Sequence, residues 1–250
     1  MRGWWREVAG LVLPVDCAGC GAARVLLCAQ CRQGLGGALA GPVRPSPRPA
    51  GLPPVHAAAV YGGGVREVLL AHKERGALPL AGALGGALAA AVRSGQEAGT
   101  GAGAGRGELV LVPVPSARRQ VRARGHDPAR RIALAAAGRL RRAGVPARVA
   151  PVLRLRRAVA DQAGLGARQR RENLAGALEV RRGGARLTAG ARIVLVDDLI
   201  TTGATLAEAA RAVRAAGLVE GAGVRAAVVA APAGSFGPDL AGNPYRPKIP

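Results

Sequence analysis

Two adjacent carboxylates, Asp197 and Asp198, are followed within one short loop by Thr201, Thr202, Gly203, Ala204 and Thr205. Ionised neighbours repel, so the pair calls for hydroxyls that donate to it or for a divalent cation that offsets its charge. The loop supplies three threonine hydroxyls, backbone amides and a glycine that permits close approach, which together suit a phosphate. Carboxylates for a diol beside a cradle for a phosphate describe a ribose 5-phosphate. A Walker-type loop would need Gly-Lys-Thr or Gly-Lys-Ser, which the chain lacks.

The elements that must position these groups read as strand, loop and helix. Ile193, Val194, Leu195 and Val196 suit a parallel strand buried on both faces, which puts the acids at the carboxyl edge of a sheet. A helix is expected over about 205–216, with Leu206, Ala209, Ala210 and Val213 at helical spacing, a stop at Gly217 and its positive end toward the loop. A second buried strand, over 109–114, runs into a loop with Arg118, Arg119, Arg122, Arg124 and Gly125 ahead of a helix over about 127–142. Such a loop suits a pyrophosphate; a solvated arginine cluster is the plainer reading. Further strands are expected over 57–61, 149–155, 178–180 and 224–231, and a buried helix over 77–92 with Leu80, Leu84 and Leu88 on one face. Lys73, one of only two lysines, falls in a turn after a helical start at 65–71 and reads as a solvated turn residue or a secondary site residue. The polar segment 156–176, with Asp161, Gln162, Arg171 and Asn173, reads as a loop closing over the site.

The four cysteines, Cys17, Cys20, Cys28 and Cys31, are spaced C-x2-C-x7-C-x2-C. They suit a tetrahedral structural Zn2+ with no position open for substrate; two disulfides are the rival, and would need an oxidising compartment. A short helix is expected over 1–13. The Pro/Gly-rich block 36–54 reads as a joint, 95–107 as a Gly-Ala loop and 232–250 as a loosely packed tail. This divides the chain into a metal module (1–35), a linker (36–54), a main α/β domain (55–231) and the tail.

The net charge of +21 is nearly all arginine, and over 118–182 eighteen arginines oppose four acids, a local net of +14. A small anion uses only a few of these, so a nucleic-acid surface is a second expectation, with five aromatics in the chain to stack on bases. The uncharged apolar stretch 77–92 is short of the roughly 18 residues of a membrane span. Glu7 interrupts the only apolar region that could serve a signal peptide, so a cytoplasmic location is expected.

V-D-D-L-I-T-T-G-A-T resembles the 5-phosphoribosyl 1-pyrophosphate (PRPP) signature of type I phosphoribosyltransferases. The order of cysteine pairs, Lys-x-x-Gly, V-P-x-P, Arg-Gly before a helix, Gln and Arg-x-Asn segments, and V-D-D-x-x-T-T-G is similar to that of the ComF family, which is tied to DNA uptake in natural competence. The likeness runs from Cys17 to about Ala231. It implies a type I phosphoribosyltransferase fold, a parallel sheet flanked by helices with a flexible hood, joined to a small N-terminal four-cysteine zinc module. It implies Asp197 and Asp198 on the ribose hydroxyls, residues 201–205 on the 5-phosphate, and PRPP bound with Mg2+. Arg118, Arg122, Arg124 and Gly125 would face pyrophosphate, Arg171 and Asn173 would close from the hood, and Lys73 matches the family's turn lysine. Where the family reads Arg-Gly-Phe-Asn-Gln, this chain has Arg124, Gly125, His126, Asp127 and Pro128. His126 is read as filling space. Two functions follow: transfer of phosphoribose to an unidentified acceptor, a nucleobase or related amine, or a non-catalytic accessory of DNA uptake that binds single-stranded DNA or a helicase.

Overall fold

The structure is a computed structural model, and it describes residues 16–98, 107–157, 159, 167–219 and 223–237. The expected helix over 1–13, most of the 95–107 loop, Asp161, Gln162 and the tail from 238 lie outside the described residues.

A six-stranded sheet forms the centre: β1 (Gly41–Val43), β2 (Val55–Val60), β8 (Arg225–Ala231), β7 (Arg192–Leu199), β3 (Leu109–Pro113) and β4 (Ala147–Val149), in that spatial order. All neighbours run parallel except β1, which is antiparallel to β2. The continuous apolar runs of β3 and β7 follow from a core on each side. Val194 and Val196 join one buried cluster with Leu109 and Leu111, while Ile193 and Leu195 join the other with Val110 and Val112. The first face is covered by α2 (Gly63–Glu74), α3 (Ala81–Glu97) and α5 (Pro128–Arg142), through Val68, Leu84, Leu88, Ile132 and Leu140. The second is covered by α8 (Ala204–Ala215), through Leu206, Ala209, Ala210 and Val213. A separate antiparallel pair, β5 (Leu153–Leu155) with β6 (Leu178–Val180), packs on that second face. The protein is thus a mixed α/β fold with a mainly parallel sheet between helices.

Alanine and glycine on the helices let them approach closely. A Cβ on Gly85 of α3 would sit 2.5 Å from Ala135 Cβ and 2.8 Å from the Ala136 amide nitrogen of α5, so this crossing admits no side chain. Asp127 caps α5 by accepting from the Arg130 amide at 3.1 Å, and Pro128 occupies the first turn, where its missing N–H costs nothing.

Several expectations change. The run 149–155 is two strands in different sheets, because the chain leaves β4 and turns at Pro151 to join the second layer. The joint 36–54 contains β1 and packs against the core: Val43, Pro45, Pro49 and Leu52 are buried. Part of the expected 156–176 loop is a helix, α6 (Ala167–Leu174). Past 232, Val43 bridges Phe236, and the Arg44 amide donates to Ser235. The helix expected over 77–92 is longer, running with a preceding 3-10 turn from Leu78 to Glu97. By length and composition it could cross a membrane, but half of its apolar window is buried, against β2, β8 and α5.

Candidate functional site

The chain leaves β3 toward β4 on one side of the sheet and leaves β7 toward β8 on the other. The carboxyl ends of β3 and β7, neighbours in the sheet, therefore bound the crevice where open α/β sheets receive ligands.

Asp197 and Asp198 are near the end of β7, still paired in the sheet: Asp197 registers with Val228 and Leu199 with Ala230. Asp198 is only 7% exposed and accepts from Lys73 Nζ at 2.9 Å. Lys73 is not in a turn. It belongs to the last turn of α2, and the helix aims it across the crevice. Burial works to raise the Asp198 carboxyl, but the Lys73 ammonium overcomes it and holds the group below the usual aspartate value. Asp198, with help from Asp197, raises Lys73 in turn. Burial and the Asp198 charge push Asp197 well above the usual carboxylate range, with Lys73 opposing. One acid is therefore neutralised by a lysine, and its neighbour keeps a raised proton affinity that a cation would relieve.

The turn after β7 wraps toward the positive end of α8. Gly203 takes the left-handed conformation, φ 76°, and caps the helix; Thr202 Oγ1 accepts from the Ala204 amide at 3.4 Å. A Cβ on Gly203 would meet Leu52 at 3.0 Å and Pro45 at 3.3 Å, so the expected joint is the wall behind the cradle.

Residues 118–124 form a short helix, α4 (Arg118–Arg124), ended by Gly125 with φ 72°. It is not a loop. Arginine, glutamine and alanine all favour helix, and the two turns are anchored at their C-terminal end through Arg124. Arg118, Arg119 and Arg122 are exposed, whereas Arg124 turns inward and gives Glu74 a two-pronged bond, Nε to Oε2 at 2.8 Å and Nη2 to Oε1 at 2.6 Å. Arg124 lies close enough to Lys73 to work against its protonation. His126 does more than fill space: its ring nitrogens lie 3.1 Å from the carbonyl oxygens of Arg124 and His72. Glu74 carried no signal in the sequence beyond standing beside Lys73.

The residues expected to close as a hood are described only in part. Asn173 lies in α6, and its carbonyl accepts from Arg157 at 2.8 Å; the Arg171 side chain lies outside the described residues. The β5–β6 pair is tied to α8 by two residues the sequence did not single out. Glu208 accepts from the Leu178 amide at 3.0 Å, and Arg211 donates to the Leu178 carbonyl at 2.9 Å. Burial works to raise the Glu208 carboxyl, but Arg211 and the Leu178 amide hold it below its usual value. A groove of about 780 Å³ opens beside this pair, lined by Leu174, Ala204, Ala207, Arg211 and Arg214.

The cysteine cluster is on the first face of the sheet. The four sulfurs lie within 4.8 Å of one another, Cys20 Sγ and Cys28 Sγ at 3.6 Å, and none is in a disulfide. Tetrahedral Zn2+ with bonds of about 2.3 Å sets sulfurs roughly 3.8 Å apart, so the donor set and spacing fit a closed structural site. The Cys28 amide donates to Cys17 Sγ at 3.3 Å and the Cys31 amide to Cys28 Sγ at 3.4 Å. Burial works to raise the Cys17 thiol, but backbone amides bring it down to about 6. The cluster docks on the start of α2, where a Cβ on Gly64 would come 3.2 Å from Cys31 Sγ.

Residues 149–242 match the family model of the phosphoribosyl transferase domain. The chain carries a phosphoribosyltransferase domain. The match spans Asn173, Asp197, Asp198 and the 201–205 turn, and supports PRPP binding as the general capacity of such a domain. Lys73, α4 and the cysteines precede it, although β2 and β3 are strands of the same sheet. A search of curated proteins gives no significant match.

Proposed function

We propose that this protein is a ComF-like phosphoribosyltransferase of the cytoplasm that binds PRPP with Mg2+ and displaces pyrophosphate at ribose C1 with a nucleobase or related amine. The observation that carries the reading is the Lys73–Asp198 ion pair at the switch-point crevice, with Asp197 beside it and Arg124 close to Lys73. The proposed main domain is 55–231, with 1–35 as a metal module, 36–54 as its joint and 232–250 as a tail.

In this mechanism Asp197 and Asp198 orient the ribose hydroxyls. The 201–205 turn holds the 5-phosphate with backbone amides and threonine hydroxyls, helped by the positive end of α8. Asp197 would hold Mg2+, which would supply charge neutralisation for the leaving group. Lys73 and Arg124 face the departing pyrophosphate, where charge grows as the C1–O bond breaks. Rate comes mostly from placement and from these fixed charges. Arg171 and Asn173 are assigned to hood closure, which excludes water.

Calorimetric titration of PRPP with Mg2+ into wild type and the Asp197→Ala/Asp198→Ala variant tests the site. Micromolar binding that the variant abolishes supports the reading; a folded wild type that does not bind overturns it.

A second reading is favoured by the surface. Arg118, Arg119 and Arg122 on α4, with Arg130, Arg131, Arg139, Arg141 and Arg142 on α5, are all exposed. In this reading the protein is a non-catalytic accessory of DNA uptake that keeps the PRPP cradle and binds single-stranded DNA or a helicase. Binding of oligo-dT that weakens steeply with salt and survives Asp197→Ala supports it.

A further inference from the structure

The last turn of α2 places three consecutive residues against three different parts of the crevice. The His72 carbonyl lies 3.1 Å from His126 Nε2, Lys73 binds Asp198 at 2.9 Å, and Glu74 binds Arg124 at 2.8 and 2.6 Å. Two of these contacts serve α4 and the residues that follow it. That helix has seven residues, none of them buried, and no side-chain bond at its N-cap. It cannot be held by a hydrophobic face of its own, and a helix this short is unstable in isolation. Its orientation is set by what grips its C-terminal end.

We propose that Glu74 is a positioning residue that docks α4 onto α2 and so aims Arg124, with the arginines before it, at the pyrophosphate end of the ligand. The inference rests on the PRPP reading above and adds to it a residue outside the matched domain. The geometry is specific to this role. Glu74 takes the Nε and Nη2 edge of the guanidinium in a fork that fixes its plane, while Nη1 is buried without a hydrogen-bond partner among the described residues. The Arg124 side chain is 15% exposed and that of Glu74 is 44% exposed, so the pair is anchored on the arginine side. A solvated surface pair would hold neither partner so firmly. Glu74 touches no ligand in this account. It acts through Arg124.

The test separates the two ends of the ligand. PRPP and ribose 5-phosphate, each with Mg2+, are titrated into wild type, Glu74→Ala, Arg124→Ala and the double variant. Amide exchange of residues 119–124 is followed in parallel. Glu74→Ala is expected to weaken PRPP about tenfold, to leave ribose 5-phosphate unchanged, to speed exchange in α4, and to add nothing in the Arg124→Ala background. Equal losses for both ligands would mean general damage, and additive losses would mean that Glu74 acts independently of Arg124; either overturns the proposal. So does unchanged or tighter PRPP binding. If wild type binds neither ligand, the PRPP reading fails, and this inference with it.

Discussion

At the scale of single residues, the crevice is governed by two adjacent carboxylates with opposite environments. Asp198 has a lowered pKa, so its pairing with Lys73 stabilises the fold above the usual aspartate range and is lost as pH falls through the lowered value. Lys73 has a raised pKa, so its share persists until pH rises past the usual lysine value. Lys73→Ala should therefore cost about 1–2 kcal/mol at pH 7, less than for a fully enclosed pair because the lysine is partly exposed. The deficit should vanish in acid, as urea melts of both proteins at neutral and acid pH will show. Asp197 behaves in the reverse sense. Its raised pKa means that ionisation costs stability as pH rises. Asp197→Asn should melt higher than wild type at neutral pH, match it in acid, and lose PRPP binding. Thermal melts across pH, with one titration, check all three. The acids and the turn were legible as a site because their types are costly anywhere else. Glu74 and His126 were not, since their partners Arg124 and His72 are remote in sequence or bonded through backbone.

At the scale of elements, helix contact depends on missing side chains. Adding a methyl at Gly85 raises helix propensity by about 1 kcal/mol but drives Cβ into Ala135 and the α5 backbone. Gly85→Ala should destabilise by roughly 1–3 kcal/mol, and Gly85→Val by more, in denaturant melts. Gly203→Ala combines a left-handed backbone with a close approach to Leu52. It should weaken ribose 5-phosphate binding severalfold with the fold retained, measured by titration beside circular dichroism. The apolar runs of β3, β7 and β8 could be read directly, because strands buried on both faces need no alternation. The split of 149–155 could not. Both halves are apolar enough for a strand, and only pairing with β3 or with β6 decides which sheet each joins.

At the scale of the whole molecule, the cysteine cluster and the crevice lie at opposite ends of one helix. Cys31 abuts Gly64 at the start of α2, and Lys73 and Glu74 close its end. Among the described residues, the short piece around the cysteines fully buries only Cys17, Leu27 and Leu35 in the first cluster, with Ala18, Leu26, Cys28 and Cys31 partly buried against it, a small core of the kind that a bound metal stabilises. Purified protein should contain one zinc per chain by elemental analysis. Chelation should lower the melting temperature and speed amide exchange along α2 before it affects β7 and β8.

The sequence by itself determined the α/β class, the strand that carries the acids, the phosphate-suited turn and the cysteine pairs. Each is local: a run of apolar residues, a pair of like charges or a spacing of thiols has few physical uses wherever it falls. The tertiary structure decided what each faces. Lys73 became the partner of a buried aspartate because α2 ends over the carboxyl edge of the sheet. Arg124 turned inward because Glu74 is one residue further along the same helix, and 36–54 became a wall behind Gly203 because β1 pairs with β2. Contacts between residues far apart in the chain are set by packing, and their energy is written in no single stretch of it.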